Sequence, residues 1–238
     1  VEREFTIKLV SYSPYCVLVD FKRGVVMDVK GWHIEKTVQR TLKALESNFF
    51  DAAFFSDRQT LVDKVMGFVK PKMKIGFGGS ITVRSLGIVE LLKDKNVEIL
   101  DHWKQGLTKE EINEIRFRQL TCDLFLSSAN AITEKGEIIN VDGKGNRTNS
   151  TTYGPKKVII IAGFNKIVPD INAGLERVKN IAAPMNAKRL NLSLPCAETG
   201  HCHDCKSEGR ICRIISIMQM RPSETDVSVF LINEDLGL

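Results

Sequence analysis

Long apolar runs are missing from this chain of 238 residues. A membrane-spanning helix needs about 20 consecutive apolar residues. The longest uninterrupted stretches here, such as 158–162, have only the length of a strand, so no membrane span is expected. A charged start leading into an unbroken apolar core is also missing, so no secretory signal is expected. Basic runs are missing too: 34 Lys and Arg are interspersed with 29 Asp and Glu, for a net charge of +5. With neither a basic stripe nor a recognisable reading module, nucleic acid is not an expected partner. Two readings of the excess charge remain: a solvated mixed surface, or cations lining a pocket for a small anionic metabolite. There is no internal repeat and no low-complexity linker.

What is present suits one large domain. Hydrophobic residues make up 43% of the chain and charged residues 26%, enough for a sizeable core under an ordinary surface. Residues 1–26 stand apart. They are rich in β-branched and aromatic residues broken by Pro14, and read either as two short strands or as an upstream extension before Met27. The main domain is therefore expected over 27–238. Trp32, Val38, Leu42 and Leu45 recur at helical spacing and predict a helix over 32–48. A short apolar strand at 51–56 follows, then a helix over 57–69 ended by Pro71. Strands are predicted at 73–77, 97–100, 121–129, 156–163 and 226–233, and a hairpin arm at 134–142. Between them fall one or two short helices over 81–93, a helix over 109–120 opened by the capping pair Thr108 and Glu111, and a helix capped by Asp170. Strands alternating with helices predict an α/β fold, a mainly parallel sheet with helices on both faces.

Four loops carry residues able to do chemistry. Gly78, Gly79, Ser80 and Thr82 follow a strand and open a helix, which offers free backbone N–H groups to an anion; a tight turn would use the same glycines. Asn130 lies in a Ser/Asn/Thr-rich strand end, where open α/β sheets bind ligands, although Asn and Ser also cap loops. Asp142, Asn146 and Arg147 surround two glycines. Asp142 is a candidate base and Arg147 a candidate anion clamp, against the plainer account of an Asp-Gly hairpin turn with exposed charges. Lys166 follows the buried strand 156–163 as an anion anchor or an exposed lysine.

The six cysteines are uneven: Cys16 and Cys122 are isolated, whereas Cys196, Cys202, Cys205 and Cys212 crowd into the segment 195–213 as C-x5-C-x2-C-x6-C. Two thiolates two residues apart can chelate one ion from a single turn, and four complete a tetrahedral zinc site or hold an iron–sulfur cluster. His201 and His203 flank the pair. The outer spacings match no standard finger, and reduced loop thiols are the competing account. Cys16 and Cys122 read as small buried hydrophobes.

Taken in order, GFGGSITVRSLGI, DLFLSSANAITEKGEIINVDGKGNR, YGPKKVIIIAGFNKIV, IAAPMNAKRL and PC…GHCHDCKSEGRIC resemble the lactate-utilisation (LUD-domain) family, from about Met27 to the C-terminus. The resemblance implies the superfamily of ribose-5-phosphate isomerase and CoA transferases, hence a Rossmann-like sheet with the ligand at its strand ends. No residue matches a CoA-transferase catalytic glutamate; Glu134 and Glu137 are candidates by location. The resemblance also implies a cytoplasmic accessory or subunit in oxidation of L-lactate to pyruvate, beside iron–sulfur proteins. The chain departs from the larger members in lacking tandem ferredoxin-type cysteine motifs. An independent isomerase or acyl-transferase, with Glu134, Glu137 or Asp142 as base, and a non-catalytic partner docking on an iron–sulfur oxidase are the alternatives.

Overall fold

A computed structural model describes residues 17–20 and 25–238, in two units, 1–36 and 37–238. In the first unit β1 (Val17–Asp20) pairs antiparallel with β2 (Val25–Asp28); a strand expected before Pro14 lies outside the described residues. The status of residues 1–16 lies outside the described residues. Helix α1 (Val29–Ser47) begins earlier than its apolar spacing predicts, because Asp28 accepts a hydrogen bond from the Gly31 amide at 2.9 Å and caps it. Val38 and Leu45 are buried as expected, whereas Trp32 is 51% exposed.

The second unit is built on six parallel strands: β3 (Asp51–Phe55), β4 (Lys74–Phe77), β5 (Glu98–Leu100), β6 (Leu124–Ser127), β9 (Lys157–Gly163) and β12 (Asp226–Ile232). Their order is β3-β12-β9-β6-β4-β5, and every pairing is parallel. The interior strands β9 and β12 are rich in apolar residues and buried almost throughout, as a sheet covered on both faces requires. Helices α2 (Arg58–Met66), α3 (Ile81–Ser85), α4 (Ile88–Lys93) and α5 (Lys109–Gln119) are spliced between the strands. Leu61 and Val65 of α2 and Ile88 and Leu92 of α4 share one apolar cluster with Ile75, Leu126, Ile161 and Phe230 of the sheet. The segment 81–93 is two helices because Gly87 takes a left-handed φ of 70° between them.

A second sheet was not foreseen. Strands β7 (Ala131–Thr133), β8 (Ile138–Asp142), β10 (Ile167–Val168) and β11 (Ile214–Met218) run in the order β10-β7-β8-β11. The β7–β8 hairpin turns at Lys135–Gly136 as predicted, and β11 adds antiparallel to β8. Against this sheet lies one long helical segment: α7 (Ile171–Arg177), a π turn (Val178–Ala182) and α8 (Ala183–Arg189). Val178 meets Ala131, Ile139 and Val168, with Ile171 and Leu175 partly buried beside them, so the helix capped by Asp170 turns an apolar face to the core. Between β8 and β9 the chain forms α6 (Asn146–Thr152), and α9 (Pro195–Thr199) opens the cysteine segment. Among the described residues no helix is long and apolar enough to cross a membrane.

Candidate functional site

Strands β4, β6 and β9 are neighbours and parallel, so the loops after them emerge together at one edge of the sheet. Those loops carry Gly78–Thr82, Ser128–Asn130 and Lys166. The turn between β8 and α6 brings Asp142–Arg147 to the same place. Together they line a cleft of about 310 Å³, with His102 and Trp103 after β5, Arg116 of α5, and Asn186 and Arg189 of α8. Every glycine-loop and strand-end candidate from the sequence thus meets here: Gly78, Gly79, Ser80, Thr82, Asn130, Asp142, Asn146, Arg147 and Lys166. This is the carboxyl edge of an open parallel sheet, where such folds place their ligands.

The parts played differ from the simple expectation of a helix terminus holding an anion. Helix α3 has only five residues, too short to gather much dipole, and the Ser80 hydroxyl already accepts from the Val83 amide at 3.2 Å. Instead Lys166, only 3% exposed, sends its ammonium to the Ser128 Oγ at 2.9 Å and the Thr82 Oγ1 at 3.1 Å. Burial, followed by the Arg177 and Arg147 charges and opposed only by Asp235, brings its pKa down to about 7. The Cβ of any larger residue at 78 would lie 2.6 Å from the Ser127 Oγ, and at Gly79, with φ 67°, an added Cβ would lie 3.1 Å from the Trp103 ring. The glycines here therefore serve close approach as well as turning.

Arg147 is not the exposed turn residue of the plainer account. Its side chain is 14% exposed, its Nε donates to the Asp142 Oδ1 at 3.0 Å, and an Nη donates to the Asn130 Oδ1 at 2.7 Å and the Val141 carbonyl at 2.8 Å. The second Asp142 oxygen accepts the Thr148 amide at 2.8 Å. An enclosed ion pair with its remaining hydrogen-bonding capacity used this fully is an organising strut. Asp142 in this state holds α6 and Arg147 in place, which is a different task from that of a general base.

Three groups the sequence did not signal complete the cleft. Gln119 Nε2 lies 3.0 Å from His102 Nδ1, and burial followed by the Arg116 charge lowers the His102 pKa to about 4. Trp103 carries two guanidinium groups on its ring, Arg84 at 4.8 Å and Arg189 at 4.9 Å from the centroid. Arg116 has a buried Nε without a hydrogen-bond partner among the described residues, and burial lowers its pKa. The one available hint was position: His102 and Trp103 fall just beyond the strand predicted at 97–100. In all, five lysine and arginine side chains and one acidic side chain line the cleft.

Glu134 and Glu137 are not brought to it. Glu134 pairs with Arg40 of α1 at 2.7 Å, and Glu137 takes the Thr133 hydroxyl at 2.5 Å across the hairpin turn. Both belong to the β7–β8 turn, at the other end of these strands from Asp142.

The cysteines form a separate locus. Cys196 sits in α9, which Pro195 opens and Gly200 ends at φ 81°; Cys202, Cys205 and Cys212 follow in irregular chain. Arg210 donates to the Cys205 carbonyl at 2.8 Å and the Cys212 carbonyl at 2.9 Å, tying the segment together. The Cys196 thiol is pushed up by burial and then by the charges of Cys205, Cys212 and Cys202, so the four lie within electrostatic reach of one another. In number and softness the donors suit a tetrathiolate centre. In arrangement they do not, since among the described residues no three His, Cys, Asp or Glu side chains are gathered as a ligand set. Cys122 is buried, its thiol pushed up to about 12 by burial, as befits a core residue.

A parallel sheet flanked by helices, with a cleft rich in basic side chains at its carboxyl edge, defines an α/β class of protein. The LUD domain family model matches residues 38–232, and the chain belongs to that family. Among solved structures it is similar to a DUF162 family protein from Deinococcus radiodurans, with a TM-score of 0.49 and 11% identity over 84% of this chain and 98% of that one. No curated protein matches it.

Proposed function

We propose that this chain is a cytoplasmic lactate-utilisation protein whose cleft binds a small anionic metabolite, a carboxylate of the size of lactate or pyruvate. The observation that carries the reading is the charge of the cleft. Arg116, Lys144 and Arg189 line it beside one acidic side chain, Asp142, which Arg147 already neutralises. A buried Arg116 Nε without a partner gives the same indication from hydrogen bonding, because such a group is costly until something fills it. Small carboxylates satisfy both demands. Thermal-shift titration with lactate, pyruvate and phosphate tests this: the account expects stabilisation by the carboxylates, and no shift at millimolar concentration from any of the three removes it.

The cysteine segment supports a second element of the proposal. Four thiols within electrostatic reach would take up zinc or an iron–sulfur cluster, with the segment closing on it, and would link the chain to iron–sulfur subunits of lactate oxidation. Metal analysis with a visible spectrum on protein purified without oxygen separates the cases. Iron, sulfide and brown colour mean the cluster, one colourless zinc per chain means a structural clip, and no metal removes Cys196, Cys202, Cys205 and Cys212 as ligands.

A further inference from the structure

Lys166 is a lysine in unusual surroundings. It lines the cleft, is almost wholly buried, and has two neutral hydroxyls, those of Ser128 and Thr82, as its hydrogen-bond partners. Ion-paired lysines elsewhere in this chain contrast with it, such as Lys156, which meets Asp123 at 2.7 Å and is 78% exposed. A lysine kept for its charge would ordinarily be given a carboxylate or left in water; one kept as an amine is buried among neutral groups and other cations. The charged groups acting on Lys166 are Arg147 of α6, Arg177 of α7 and Asp235 beyond β12, two cations against one anion.

We infer that Lys166 is a nucleophile that captures the carbonyl of a 2-oxo acid as an imine within the anion-binding cleft. The inference rests on the anion-binding reading above and names the substrate class more narrowly. In the step, the Nζ lone pair forms the bond to the carbonyl carbon, and the carbonyl oxygen takes up a proton to give a carbinolamine. The second Nζ proton then leaves, the hydroxyl departs as water, and the C=N bond forms; water reverses the sequence. No oxidant or reductant is consumed. The Ser128 and Thr82 hydroxyls, in contact with Nζ, are placed to carry the protons between nitrogen and oxygen. The cleft arginines hold the carboxylate, and their positive charge keeps the amine in its neutral, reactive form. The depressed pKa of Lys166 agrees with this geometry.

The test is reductive trapping. The intact protein is incubated at neutral pH with pyruvate and cyanoborohydride, which delivers hydride to any C=N bond and fixes it as a secondary amine. The labelled lysines are then located by peptide mass spectrometry. The inference expects label at Lys166, little at exposed Lys156, and slower labelling when lactate, which has no carbonyl, competes. Lys166→Arg should remove that label; should this variant fold poorly, the peptide map of the unaltered protein decides alone. Binding of lactate and pyruvate with no label at Lys166 overturns the imine and leaves the anion reading intact. Absence of both binding and label overturns both.

Discussion

Lys166 and His102 are both basic groups that the fold holds neutral more readily than water does, and each leaves a signature in pH. The unfolded chain takes up the histidine proton near 6.5, the folded chain only near 4. Between those values the unfolded state holds more protons, so stability falls as the pH drops through that window, by at most about 3 kcal/mol. His102→Gln should flatten this limb in denaturation curves measured between pH 7 and pH 4 relative to the unaltered protein; an unchanged limb would mean the ring is not buried as described. For Lys166 the same logic runs at higher pH. From about 7 upward the folded chain has given up a proton the unfolded chain keeps to its ordinary value, so stability rises with pH, and Lys166→Met should remove that rise. Gly79 tests the wall of the cleft. Its φ of 67° and the Trp103 ring 3.1 Å from an added Cβ mean that Gly79→Ala costs roughly 1–2 kcal/mol and shifts Trp103, which tryptophan fluorescence reads.

At the scale of elements, α5 shows how far local signals reach. Thr108 and Glu111 form the capping box read from the sequence, the Thr108 Oγ1 accepting the Glu111 amide at 3.2 Å and the carboxylate returning to the Thr108 amide at 2.7 Å. Thr108→Ala should lower stability by about 1 kcal/mol, or a Tm loss of about 2–4 °C. Ligand binding should be unaffected, since Thr108 lies about two turns before Arg116 on α5 and outside the cleft; a loss of binding would show that α5 must be rigid at its start. The six parallel strands were legible because each is an apolar run closed by glycine, serine, asparagine or aspartate. The second sheet was not. Strand β11 lies at its edge with Ile214, Ile215 and Ile217 all exposed, so neither alternation nor a buried run marks it. Helix α6, NRTNSTT, has no apolar stripe at all; it is held by the Asp142 carboxylate on the Thr148 amide and by tertiary contact. The same blindness hid the cleft's arginines, because Arg116 and Arg189 sit on helix faces that in sequence look like ordinary solvated charge. Glu134 and Glu137 were candidates by location alone, and the β7–β8 hairpin on which they lie turns them away from the cleft in space.

For the whole molecule, the modest net charge of +5 conceals a concentrated asymmetry, with cations drawn into one cleft at the carboxyl edge of the sheet. Partly enclosed charges are screened less by salt than exposed ones. Raising ionic strength should therefore weaken capture of a small carboxylate gradually and leave the fold unchanged, which titrations at two salt concentrations would show. Binding should also stabilise the chain by mass action, by about 2.7 kcal/mol at a ligand concentration 100 times the Kd. The most direct measurement is a calorimetric titration of pyruvate into the intact protein at low salt, repeated with Arg189→Gln. The account predicts one site per chain in the unaltered protein and clearly weaker binding in the variant; no heat of binding, or identical binding by both proteins, would contradict it.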